Sequence, residues 1–169
     1  MGIFAEALGA LALVINFIGY RQNDMNRYRI ISAVALAVVS THFFLLGAMA
    51  AGIGCGLASL RNIVALRYRR SEVVLLFVAV NLGFLFYEWF ALQHAWIIAI
   101  AYTSSLVFTI GSFVLKSATR IRQWFILAEL LGLTYAILVG SIFGSIFNIS
   151  NLVSIFIKLK QDYRHKKTD

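Results

Sequence analysis

Long uncharged runs, cut at intervals by short basic clusters, set the rhythm of this chain. Residues 3–20 are apolar apart from Glu6, and the segment 21–29 that follows holds three arginines and one aspartate. Residues 30–60 contain no Asp, Glu, Lys or Arg. At about 1.5 Å of rise per residue such a run is too long for one bilayer crossing of about 20 residues, and long enough for two short ones. Gly47, Gly52, Gly54 and Gly56 offer the turn between them. Beyond Arg61, Arg67, Arg69 and Arg70 the chain is apolar over 73–87, passes Glu88, Gln93 and His94, and is apolar again over 95–115. Lys116, Arg120 and Arg122 introduce the last run, 123–157, interrupted by Glu129 and by the turn-forming Gly140, Ser141 and Gly144. Two short spans fit there again, so the pattern predicts an all-α membrane protein with seven transmembrane helices.

Composition supports lipid as the solvent. Of 169 residues 61% are hydrophobic and 13% charged, with a mean hydropathy of +0.85, more apolar surface than a soluble domain of this length hides. The net charge of +8 would raise the question of nucleic acid in a soluble chain. Here the clusters at 21–29, 61–70, 116–122 and 158–167 hold every lysine and arginine, and with seven crossings all four fall on one side. The positive-inside rule makes that side cytoplasmic, with the N-terminus outside and the basic tail 161–169 inside. Membrane lipids, through their anionic headgroups, are the expected partners, and nucleic acid is not. No Lys or Arg precedes Arg21, so the first span lacks the basic flank of a cleaved signal peptide and is read as retained. Cys55 is the only cysteine, which excludes an internal disulfide and a thiolate metal cluster.

The chain also echoes itself. Ile18-Gly19 recurs as Ile110-Gly111 at a shift of 92, Arg27 and Arg29 recur as Arg120 and Arg122 at 93, and Thr41 and Gly47 recur as Thr134 and Gly140 at 93. The expected organisation is a three-helix bundle over 1–70, a linker helix over 71–93 and a second three-helix bundle over 94–160. A single linker crossing leaves the two copies parallel, related by an axis along the membrane normal.

Three spans, a linker and three spans, each copy with a basic turn and a glycine hairpin, resemble the SWEET, PQ-loop and PnuC superfamily of small transporters. On His42-Phe43-Phe44-Leu45-Leu46-Gly47-Ala48, on Ser59-Leu60-Arg61-Asn62 with Arg67, and on chain length, the sequence more closely resembles the YgjV family of bacterial inner-membrane proteins. The SWEET-like resemblance implies a solute held between the bundles, with an aromatic before each hairpin glycine and an asparagine in the third helix of each copy. Those positions are filled by His42 and Phe43 before Gly47, Tyr135 before Gly140, Asn62 in the first copy, and Asn148 and Asn151 in the second. The chain departs from that superfamily in having no proline; Gly19 and Gly111 stand where hinge prolines would.

Ionisable groups within hydrocarbon cost about 2.5–3.5 kcal/mol on insertion scales, so each requires an explanation. Arg61 and Glu129 lie at similar depth from the basic end, and an interhelical ion pair lining a cavity is the expectation for them. His42 lies within span two, where a neutral imidazole both donates and accepts. Amides reach the spans at Asn16, Asn62, Asn81, Asn148 and Asn151, as solute ligands or as glue between helices. The candidate solute site is His42, Asn62, Asn151, Tyr135 and Asn16, beside the Arg61–Glu129 pair. No metal-spaced histidine pair, phosphate loop or nucleophile triad is present, so the reading has no metal, no cofactor and no enzymatic step. The function expected is passage of a small polar solute, with a scaffold or sensor as the alternative and homo-oligomerisation left open.

Overall fold

The structure, a computed structural model, describes residues 2–20, 22, 24–68, 70–115 and 117–165. Arg21, Arg69, Lys116 and the last four residues of the basic tail lie outside the described residues. Among the described residues the chain is helical without strands: α1 (Gly2–Tyr20), α2 (Met25–Leu45), α3 (Met49–Val64), α4 (Ser71–Phe86), a π-helical turn (Tyr87–Ala91), α5 (Ile98–Val114), α6 (Ala118–Leu138) and α7 (Ile142–His165).

The uncharged run 30–60 divides as its length requires, but only Gly47 makes the turn. Gly52, Gly54 and Gly56 lie inside α3, where a small residue lets neighbouring helices approach. Gly47 and Gly140 share a φ of 73°, the left-handed conformation that closes a helix without a Cβ clash. Their hydrogen bonds repeat position for position. Ala48 N donates to Phe43 O and Ser141 N to Ala136 O, both at 2.9 Å; Gly47 N donates to Phe44 O and Gly140 N to Ile137 O, both at 3.1 Å. These bonds satisfy the last carbonyls of α2 and α6. At the other end of α2, Asp24 caps by accepting from Arg27 N at 2.8 Å.

α1, α2 and α3 pack in sequence, as do α5, α6 and α7, and contacts of α3 with α5 and of α1 with α7 close the six into a ring. α4 packs outside that ring on α5 and α3. Four helical segments are long and apolar enough to cross a membrane, Asn26–Leu45, Ser71–Ala91, Thr119–Leu138 and Ile142–Gln161, and three shorter apolar helices accompany them, Ile3–Gly19, Met49–Val64 and Ile98–Val114.

The sidedness of the side chains is that of a protein solvated by lipid. Large apolar groups such as Ile3, Phe4, Leu75, Leu76 and Phe90 are turned outward, whereas the largest fully buried side chains, Tyr102, His42, Glu88, Asn81, Thr109 and Ser141, are all polar. Between helices the core is made of small residues, with Ala5, Ala12, Ala35, Ala128 and Ala136 at 0% exposure, so backbones pack closely.

Candidate functional site

The ring has two seams, α1 against α7 and α3 against α5, and each is bridged by polar groups. On the first seam, Asn16 Nδ2 donates to Asn151 Oδ1 at 2.7 Å, and Asn151 Nδ2 donates to Glu129 Oε1 at 2.9 Å. One amide of α7 thereby links α1 to α6, and all three side chains are buried. Nearer the glycine turns, His42 Nδ1 lies 2.6 Å from Ala5 O and its Nε2 2.8 Å from Ser141 Oγ. Since a carbonyl only accepts, the proton is on Nδ1 and Nε2 accepts from the hydroxyl. Ser141 also caps α7 by accepting from Gly144 N at 3.0 Å.

On the second seam, Arg61 Nη1 donates to Thr109 Oγ1 at 3.3 Å, while Thr109 Oγ1 donates to Ser105 O at 2.8 Å. Arg61 Nε and Ser105 Oγ are buried without a hydrogen-bond partner among the described residues. Each such group forfeits on the order of 1–3 kcal/mol, more for a charged one. These two open valences share one seam, because Ser105 and Thr109 are one helical turn apart on α5.

The ion pair expected between Arg61 and Glu129 does not form: among the described residues no carboxylate lies within 4.0 Å of Arg61, and Glu129 is held by Asn151 instead. Each side chain is held by another neighbour, Arg61 by Thr109 of α5 and Glu129 by Asn151 of α7. Both charges still reach Cys55, which lies within electrostatic range of Glu129 and Arg61. The other expected residues also separate. Asn62 Nδ2 donates to Ser32 Oγ at 3.3 Å, inside the α1–α3 triplet and away from Asn151. Tyr135 is buried in the wall of a different cavity. The structure thus brings Asn16, Asn151 and Glu129 together and leaves His42, Asn62 and Tyr135 in three other places.

That other cavity, of about 250 Å³, opens at the glycine-turn end and is lined by Ala48, Ala50, Glu88, His94, Ile98 and Tyr135, among others. The carboxylate of Glu88 is fully buried. Tyr102 Oη donates to Glu88 Oε1, and His94 Nδ1 lies 2.8 Å from Glu88 Oε2. The backbone sets this geometry: the π-helical turn carries Glu88 inward, Gln93 adopts a φ of 50°, and His94 N closes on Glu88 O at 3.0 Å. The left-handed residue costs roughly 1–2 kcal/mol, and π turns recur where function interrupts a helix. Sequence reading passed Glu88 and His94 over as a connection. The usable signal was that Glu88 is the only Asp, Glu, Lys or Arg between Glu72 and Lys116.

Polar groups therefore run the length of the ring: Glu88 and His94 at the mouth, Tyr102 and Tyr135 beneath them, Cys55 within electrostatic range of Tyr135, then Glu129, Asn151 and Asn16 on one side and Arg61, Thr109 and Ser105 on the other. Comparison with known families finds one whose description is Imp-YgjV, bacterial inner membrane protein, matching residues 3–166. No curated protein and no solved structure matches the chain.

Proposed function

The chain belongs to the Imp-YgjV family of bacterial inner membrane proteins, and from that premise we propose that it is a seven-span carrier of a small polar solute, working between two parallel three-helix repeats. The single observation that carries this reading is the pair of buried, partnerless groups on the α3–α5 seam, Arg61 Nε and Ser105 Oγ. A buried guanidinium without a counter-charge is costly, and a solute bearing hydrogen-bond acceptors supplies what both groups lack. Glu129, held by Asn151 across the ring, takes donors of the same solute.

The repeat reading draws support from seam residues at the same 93-residue spacing as the glycine turns. His42 and Tyr135 are 93 apart, as are Asn16 and Thr109. His42 bridges α1 and α7, while the Tyr135 hydroxyl of α6 meets the backbone of Ala51 on α3. Asn16 bridges one seam and Thr109 the other. A six-helix ring with two such seams rocks open at either end while the middle remains in register. The basic clusters support a reading with the glycine-turn end outside and the tail inside.

Uptake into sealed vesicles, measured against a panel of sugars, nucleosides and vitamins, tests the reading. The expected result is a saturable flux that is lost in Arg61→Gln. Flux no greater than that of empty vesicles across the panel overturns it. A scaffold is the second reading, favoured by His42 and Asn151, which spend both of their polar atoms on other helices.

A further inference from the structure

The cluster at the mouth has no part in holding the solute as proposed above, and its geometry suits a different ligand. We infer that Glu88 and His94 form a proton-loading site that reads the acidity of the compartment at the glycine-turn end and transmits it to the α3–α5 seam. As a description of what is coupled to movement across the ring this rests on the carrier reading, but the site itself stands without it.

Enclosure argues for the proton over other cations. Glu88 is 0% exposed, and its two oxygens are covered by Tyr102 Oη and His94 Nδ1. With the carboxylate 0% exposed, a sodium ion or an ammonium group would have to displace its buried surroundings to reach it. A proton does not, because an imidazole accepts on one ring nitrogen and releases from the other. His94 is the cluster's way out: its side chain is 38% exposed and lines the open cavity. The ionised carboxylate only accepts, so His94 carries its proton on Nδ1 and presents the Nε2 lone pair. A proton from hydronium joins Nε2 and leaves water, the Nδ1 proton passes to Glu88 Oε2, and the balance is a neutral carboxylic acid beside a neutral imidazole protonated on Nε2. The remaining titratable groups facing Glu88 are Tyr102 of α5 and Tyr135 of α6. The lining contributed by α3, Ala48 to Ala50, is uncharged.

Loading changes the contact that joins the linker to the ring. The Tyr102 bond to an ionised carboxylate is charge-assisted, and to a neutral one it is about half as strong. Tyr102 is fully buried on α5, the helix that also bears Ser105 and Thr109, so loosening it frees the outer end of the α3–α5 seam.

Two measurements on the full chain in lipid nanodiscs test this without requiring flux. The first is the infrared band of a protonated carboxyl, followed as pH is lowered and taken as the difference between the chain and Glu88→Gln. The second is the rate at which a soluble maleimide labels Cys55, which is the only cysteine and half-buried on α3. Acidification is expected to raise that difference band and to speed Cys55 labelling several-fold, and Glu88→Gln should lose the labelling response. His94→Gln should slow the appearance of the band. Tyr102→Phe keeps the buried volume and serves as the fold-preserving control: it should retain the band and lose the labelling response. A band unchanged by Glu88→Gln, labelling indifferent to pH, or a response that follows sodium at fixed pH would each overturn the inference.

Discussion

At the scale of single residues, side chains that span seams should matter in proportion to the partners they leave behind. Asn151→Leu removes the bond to Asn16 and also the only donor to Glu129 among the described residues. Interhelical bonds in bilayers are worth roughly 0.6–2 kcal/mol, and a stranded buried group adds on the order of 1–3 kcal/mol. Asn16→Leu loses one bond and strands only half of an amide, so Asn151→Leu should be two to three times as destabilising, a ratio read from thermal unfolding in detergent. Equal losses would show that the Asn151–Glu129 bond contributes nothing. Steric fit is as exacting on the same seam. A Cβ added to Gly9 would lie 2.6 Å from Phe143 Cβ and 3.1 Å from the His42 ring. Phe143 Cβ moves only with its backbone, so Gly9→Ala must push α1 from α7 and should cost about 1–3 kcal/mol. It should also break the His42 bridge, visible as a changed ring resonance of His42.

Among elements, the glycine turns allow a cleaner test because sterics drop out. Nothing lies within 4 Å of a Cβ placed on Gly47 or Gly140, so the cost of Gly→Ala at either is the left-handed backbone alone, about 1–2 kcal/mol. The two variants should lower the melting temperature equally, and asparagine at either position should cost less than alanine. Unequal shifts would argue against the equivalence of the two turns. These turns and the helices around them were legible in the sequence, since helix length follows from the spacing of charge and a turn from the residue that tolerates positive φ. Partnership was not legible. Asn16 and Asn151 are 135 residues apart, and which residues meet depends on the order of helices in the ring, which hydrophobic period does not encode. The Arg61–Glu129 expectation failed for that reason: matching depth along the membrane normal does not say which neighbour holds a side chain, and here Thr109 holds Arg61 and Asn151 holds Glu129. Glu88 and His94 escaped notice because a π-helical turn and a left-handed Gln93 fold them inward from a stretch that reads as a loop.

For the molecule as a whole, orientation follows from how the bilayer sorts cations. Every lysine and arginine lies in four clusters of the sequence, and the stretches between the apolar runs are short, the regime in which the charge bias governs insertion. Moving a single Lys or Arg through the bilayer centre costs about 2.5–3.5 kcal/mol on insertion scales, and that cost favours the proposed seven crossings with the basic end in the cytoplasm. A reporter active only in the periplasm should work when fused ahead of α1, and one active only in the cytoplasm when fused after α7. The glycine turns supply a second check, because Gly47 is exposed at the opposite end. Lysines inserted beside it should oppose the native bias, and two or three of them should produce a mixed topology in the reporter assay. Both fusions reporting the same compartment would remove one crossing, turn the second triplet upside down relative to the first, and leave the His42–Tyr135 and Asn16–Thr109 spacings without a symmetry to explain them.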